Sequence, residues 1–128
     1  MSSPIDLNEV RAFLARKDER RRFQLDQRHQ RACGDFERIV RHVVATYRPR
    51  RIYQWGSLIE RRHFSEISDI DIAIEGLRSP QEYFAVLGDA IGITGFPVDL
   101  IEMEKVPAET ADHIRRTGRL VYERREDR

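Results

Sequence analysis

The stretch WGSLIERRHFSEISDIDIAIEG, Trp55 to Gly76, decides how this chain is read. It sets Gly56-Ser57 shortly before Asp69 and Asp71, and those two aspartates alternate with isoleucines. Such alternation is the period of a β-strand, whose successive side chains point to opposite faces. Ile70, Ile72 and Ile74 then share one face and belong to a core. Asp69 and Asp71 share the other face. Aspartate is a poor strand former, and two close carboxylates raise each other's energy. That face therefore calls for solvent, arginines or a cation. Magnesium takes oxygen ligands, commonly one or two carboxylates together with substrate phosphates.

The pair Gly56-Ser57 sits where a strand, Arg51 to Trp55, gives way to a short helix. Glycine lets a backbone approach a ligand closely. Free amides with a serine hydroxyl suit phosphate, although Ser57 would also cap such a helix without any ligand. A third acid, Asp99, is embedded in the apolar stretch FPVDLIEM between Val98 and Leu100. If that strand neighbours the one holding Asp69 and Asp71, three carboxylates converge. The plainer alternative for Asp99 is an ion pair with one of the many arginines.

On the N-terminal side, Asp6 with Glu9 three residues later forms a capping box for a helix. Val10, Phe13 and Leu14 give it an apolar stripe, and Ala15 to Arg22 is strongly charged. A second stripe at helical spacing follows at Cys33, Phe36, Val40, Val43, Val44 and Tyr47. Gly34 weakens a helix there without having to break it. A single helix from residue 6 to 47 would be about 60 Å long, more than a domain of this size spans. The N-terminal part is thus expected either to fold back or to project as an arm for a partner. The chain divides into a helical extension, residues 1–34, and a domain, residues 35–128.

Pro49 ends the helical region. Ser79-Pro80-Gln81-Glu82 is a helix start with a serine cap and proline at the first position. Tyr83, Val86, Leu87, Ala90 and Ile91 give that helix its buried side, and Gly92 and Gly95 end it. Pro97 to Met103 reads as a strand, Pro107 to Thr117-Gly118 as a helix, and Leu120 to Tyr122 as a last strand. The order predicts an α/β (α+β) fold, a small mixed β-sheet with flanking helices.

The 128 residues suit one domain with a modest core. No apolar run reaches the length of a membrane span, and the N-terminus lacks the basic start and apolar run of a signal peptide. The single cysteine, Cys33, cannot form an internal disulfide and reads as packing on the apolar helical face. These features point to the cytoplasm. The basic residues are nearly all arginine, yet nearby acids bring the net charge to +1, so composition does not favour a nucleic-acid partner. The four histidines, His29, His42, His63 and His113, lack metal-ligand spacing, and only His63 lies between the phosphate turn and the aspartate strand.

With these residues in view, the chain resembles the nucleotidyltransferase superfamily that includes DNA polymerase beta. The likeness is strongest to its minimal single-domain (MNT) members. Trp55-Gly56-Ser57, eleven further residues, then Asp69-Ile70-Asp71-Ile72 follow that family's signature, and SDIDIAIEG (Ser68 to Gly76) resembles its metal-binding strand. The stretch from Val98 to Arg124 resembles the tail of the minimal members, and the likeness covers about residues 36 to 123.

The resemblance implies that Gly56 and Ser57 hold a nucleotide triphosphate. It implies that Asp69 and Asp71 bind two magnesium ions, with Asp71 bridging them. Asp99 would complete the metal site and help deprotonate an acceptor hydroxyl. ATP is the implied substrate. The implied setting is the antitoxin half of a HEPN/MNT toxin–antitoxin pair, in which AMP is transferred to a tyrosine of a helical HEPN-type toxin.

One segment departs from the family pattern. Many minimal members carry a small residue, an arginine and a glycine after the Gly-Ser-aromatic run. Here that segment is Leu58-Ile59-Glu60-Arg61-Arg62. Glu60 stands near where an arginine is often found; Arg61 or Arg62 can supply the lost positive charge to the nucleotide. The departure keeps a second class open, a catalytically weak or inactive binding module that neutralises a partner by occlusion. A third is a small-molecule nucleotidyltransferase. The exposed N-terminal helix is a candidate for holding a partner or a second copy of the chain.

Overall fold

The structure, a computed structural model, describes residues 4–59 and 69–125. Helix α1, Leu7–Tyr47, leads into strand β1, Arg51–Trp55, and a short 3-10 helix, Gly56–Leu58. Strand β2, Ile70–Glu75, is followed by helix α2, Pro80–Ile93, and strand β3, Val98–Glu102. Helix α3, Ala108–Thr117, and strand β4, Arg119–Glu123, close the order. The sheet runs β3-β2-β1-β4. β2 and β3 are parallel, while β1 is antiparallel to both β2 and β4, so the sheet is mixed.

The alternation in β2 places the layers. Ile70, Ile72 and Ile74 are buried with Ile52 and Leu100 against Phe36, Ile39 and Val43 of α1 and Val86 and Ala90 of α2. Burying each large side chain of this kind contributes about 1.5–3 kcal/mol. The opposite face is built from Tyr53, Ala73 and Met103 under Ala111 and Ile114 of α3. One sheet face thus carries two helices and the other carries one short helix, which leaves room on the second face.

Helix α1 settles the question of one helix or two. It is continuous over 41 residues, about 60 Å at 1.5 Å per residue. The Asp6 carboxylate caps it by accepting from the Asn8 N–H at 2.9 Å. No proline lies between Pro4 and Pro49, and a Cβ at Gly34 would meet no described neighbour within 4 Å, so the glycine costs only about 1 kcal/mol of propensity. Arg48, in the left-handed region at φ 49, stops the helix just before Pro49. Of the two outcomes the sequence left open, folding back or projecting, α1 takes the second and forms an arm, since residues 4–24 are all exposed. Val10, Phe13 and Leu14 accordingly stay exposed.

The C-terminal half of α1 is tied down by polar groups. His42 Nε2 and the Tyr47 hydroxyl both donate to Asp89 of α2, at 2.8 and 2.6 Å. Those two bonds hold the Asp89 carboxyl below its usual range, and the bond to Asp89 pushes the Tyr47 phenol up to about 12. The Thr94 hydroxyl donates to Asp35 at 2.7 Å, just past the end of α2. On α2, Ile91 is exposed rather than buried as its spacing suggested. Residues at 83, 86 and 90 continue their stripe at 93, and Ile93, not Ile91, packs on the core.

Gly76 ends β2 at φ 92, and a Cβ there would stand 2.6 Å from Arg50 Cβ and 2.8 Å from Arg50 N. Gly76→Ala is expected to cost about 1–3 kcal/mol, since backbone strain and the clash act together. A denaturant titration checks it, with an unchanged midpoint as the contrary result.

Candidate active site

Strand register assembles the site. β1 sets Trp55 opposite Asp71, and β3 sets Asp99 opposite Asp71. Directly paired residues share a face, so Trp55, Asp71 and Asp99 form a row across three adjacent strands. Neighbouring strands lie about 4.8 Å apart, so the two aspartates project side by side. Asp69 sits one residue before β2 and is half-buried. The row lies on the face under α3, at the end of the sheet where β1 finishes and β2 and β3 begin. Asp99 is exposed and Asp71 half-buried behind it. The open alternative for Asp99, a surface ion pair, is not realised among the described residues, where no ion pair includes it.

The Asp71 carboxyl is pushed up to about 6, first by burial, then by the negative charges of Asp99 and Asp69. Its Oδ2 lies against Gly56. The glycine has φ 76, and a Cβ there would stand 2.2 Å from that oxygen. The turn and the Asp71 carboxylate are therefore in contact, and glycine is required twice, by conformation and by space.

The turn itself is held from behind. Leu58 is buried, and its carbonyl accepts from His29 Nε2 of α1 at 2.9 Å. His29, of which the sequence shows only that it lacks metal-ligand spacing, contributes here by holding the turn. It lies 29 residues away along the chain, and no spacing signals it. Trp55 joins the aspartate row, and its indole N–H is buried with no partner among the described residues. Of Ser57 only the backbone is described. Glu60, Arg61, Arg62 and His63 lie outside the described residues.

The donor chemistry fits a hard divalent cation. Three carboxylates at one end of the sheet, one of them driven toward protonation by burial and by the other two, offer oxygen ligands and concentrated negative charge. Among the described residues no three such groups already stand as a ready ligand set. Magnesium's habit of taking one or two carboxylates and completing its shell with phosphates and water matches that arrangement.

Residues 37–127 match the family described as polymerase beta, nucleotidyltransferase. The chain belongs to that family. Its members generally use a nucleoside triphosphate and a divalent metal and transfer a nucleotidyl group. A search of curated proteins finds no match. Among the described residues no helix is long and apolar enough to cross a membrane, α1 included.

Proposed function

We propose that this chain is a magnesium-dependent nucleotidyltransferase that moves AMP from ATP to a hydroxyl, that of a tyrosine on a HEPN-type toxin, and so acts as an antitoxin in the cytoplasm. The observation that carries the chemical part is the in-register pairing of Asp71 with Asp99, with Gly56 packed on the Asp71 carboxylate. The toxin and the tyrosine rest on the resemblance to minimal family members.

In this reading Asp69, Asp71 and Asp99 are the catalytic carboxylates and hold the metal, two ions by the family's pattern. When bound, the metal neutralises phosphate charge and lowers the energy of the entering and leaving oxygens. Gly56 and Ser57 cradle the triphosphate, with Arg61 or Arg62 adding positive charge. Asp99, the exposed member of the row, takes the proton of the acceptor hydroxyl. That oxygen bonds to the α-phosphorus as the bond from the α-phosphorus to the leaving oxygen breaks, and pyrophosphate departs. Asp71, set behind Asp99 and against Gly56, fixes where the α-phosphate stands relative to the attacking oxygen.

The test is incubation of the purified protein with magnesium, ATP labelled on its α-phosphate and a HEPN-type partner. Label is expected on the partner. Asp99→Asn is expected to lower transfer by about 10²-fold or more, the scale of removing a positioned base. Transfer that persists in an Asp69→Asn/Asp71→Asn chain would sink the mechanism. A second reading, neutralisation by occlusion without catalysis, is motivated by Glu60 standing where positive charge is usual. Calorimetry separates the two, since the catalytic reading requires ATP binding in the presence of magnesium.

A further inference from the structure

The arm of α1 points somewhere specific. β1 runs from Arg51 toward Gly56, and α1, packed on the sheet, runs the other way. Tyr47 receives a bond from Arg78 at the far end of the sheet, whereas His29 and Arg28 meet Leu58 and Phe96 at the end that holds Asp71 and Asp99. From His29 back to Leu7 the helix continues for 22 residues, about 33 Å past that end.

One face of the arm has a divided character. Leu7, Val10, Leu14, Lys17, Arg21 and Gln24 recur at alternating spacings of three and four, the seam of a helix that packs on another helix. The outer half is apolar and exposed: Leu7 at 66%, Val10 at 41%, Leu14 at 54%. Phe13 flanks it at 52%. The inner half, nearer the catalytic end, is cationic, and Arg20 flanks it. Asp18 is paired with Arg22, which leaves the seam's own cations uncompensated by it.

A second copy of the chain does not complement this face. Parallel pairing sets Lys17 and Arg21 against themselves. Antiparallel pairing about the middle of the seam sets Leu14 against Lys17 and Val10 against Arg21. Like charges or charges against apolar groups result either way, and a shifted antiparallel pairing that sets Leu7 against Leu14 leaves the cations of both copies unmatched. A nucleic acid would meet the cations but leave three exposed apolar side chains unused. A helix with an apolar half and an acidic half satisfies both parts of the seam.

We propose that the arm is a docking rail for an acidic, amphipathic helix of the protein that accepts the nucleotidyl group, and that it holds this acceptor beside the Asp71–Asp99 end of the sheet. The proposal rests on transfer to a protein hydroxyl, but its docking step is measurable without transfer. The probe is a fluorescein-labelled synthetic helix of about seven turns carrying a leucine seam in one half and a glutamate seam in the other. Its counterpart has lysine in place of glutamate. Fluorescence anisotropy with the full chain should show the glutamate helix binding at least 10-fold more tightly than the lysine helix. Lys17→Glu/Arg21→Glu should reverse that preference while circular dichroism shows the helix intact. Asp71→Asn should leave binding unchanged, so a failure of catalysis and a failure of docking read out separately. Equal binding of the two helices, or no binding, overturns the proposal. So does tighter binding of a poly(U) 20-mer, or a dimer in sedimentation that Leu14→Lys dissolves.

Discussion

Asp71→Asn is expected to abolish nucleotidyl transfer while making the metal-free protein more stable. The loss should be about 10³-fold, the scale of removing one preorganised group at the reacting centre. The gain follows from the electrostatics. The carboxyl has been pushed from an ordinary 3.8 to about 6 by burial and by Asp99 and Asp69. Its ionised form therefore costs the folded state up to about 3 kcal/mol, and about 1–2 kcal/mol once the partial exposure of the group is allowed for.

The sign of the pH dependence is set by proton binding. In the unfolded chain the group titrates near 3.8, in the folded chain near 6. Between those values the folded state holds a proton that the unfolded state has lost, so stability falls as pH rises through this window. Above about pH 6 the whole cost is present, and below about 4 none of it is. Asparagine carries no charge at either pH. Thermal melts at pH 7.5 without metal should place Asp71→Asn about 3–8 °C above the parent, and melts near pH 3.5 should bring the two together. Magnesium should raise the melting temperature of the parent and not of the variant, because only the parent gains by binding it. A variant that is destabilised at pH 7.5 would mean that Asp71 is held by attractive partners, and the strained-carboxylate reading would fail.

That trade of stability for charge is also what made the site readable. A strand that alternates isoleucine with aspartate keeps its hydrophobic period, so Ile70, Ile72 and Ile74 identify the core face and the aspartates mark the departure from it. Asp99 was legible for the same reason, an acid inside an apolar strand. Its position opposite Asp71 was not, because register depends on which strands pair. The capped starts and stops, Ser79-Pro80 and Thr117-Gly118, were local and came out where expected. The fate of α1 was not local. Nothing in Ala15 to Arg22 breaks a helix, and nothing there packs either, so only the assembled domain reveals where support ends, near Leu25. His29 behind the turn, and Asp89 receiving bonds from His42 and Tyr47, join residues at least 29 positions apart, and such pairs leave no periodic trace.

Gly56→Ala is the second large effect, and it tests whether turn and carboxylate act as one unit. At φ 76 an alanine pays for the left-handed conformation, and its Cβ would stand 2.2 Å from Asp71 Oδ2. Something must move. The backbone around the turn is fixed by buried Leu58 and by the bond from His29, so the displaced group is the Asp71 side chain. The expected result is a stability loss of about 2–3 kcal/mol, from backbone strain and the displaced contact together. Transfer should fall by about 10²-fold, chiefly in kcat, because in the proposed mechanism an Asp71 carboxylate shifted by an ångström is misplaced for chemistry. If Gly56 served only to let phosphate approach, KM for ATP would rise instead and kcat would hold. A double-mutant cycle separates the strain of the turn from the clash. In an Asp71→Ala background the carboxylate is gone, and Gly56→Ala should cost only the conformational part, about 1–2 kcal/mol. Strict additivity of the two substitutions in a denaturant titration would show that the two residues do not press on each other. The Asp71 carboxylate would then owe its position to something other than the glycine beneath it.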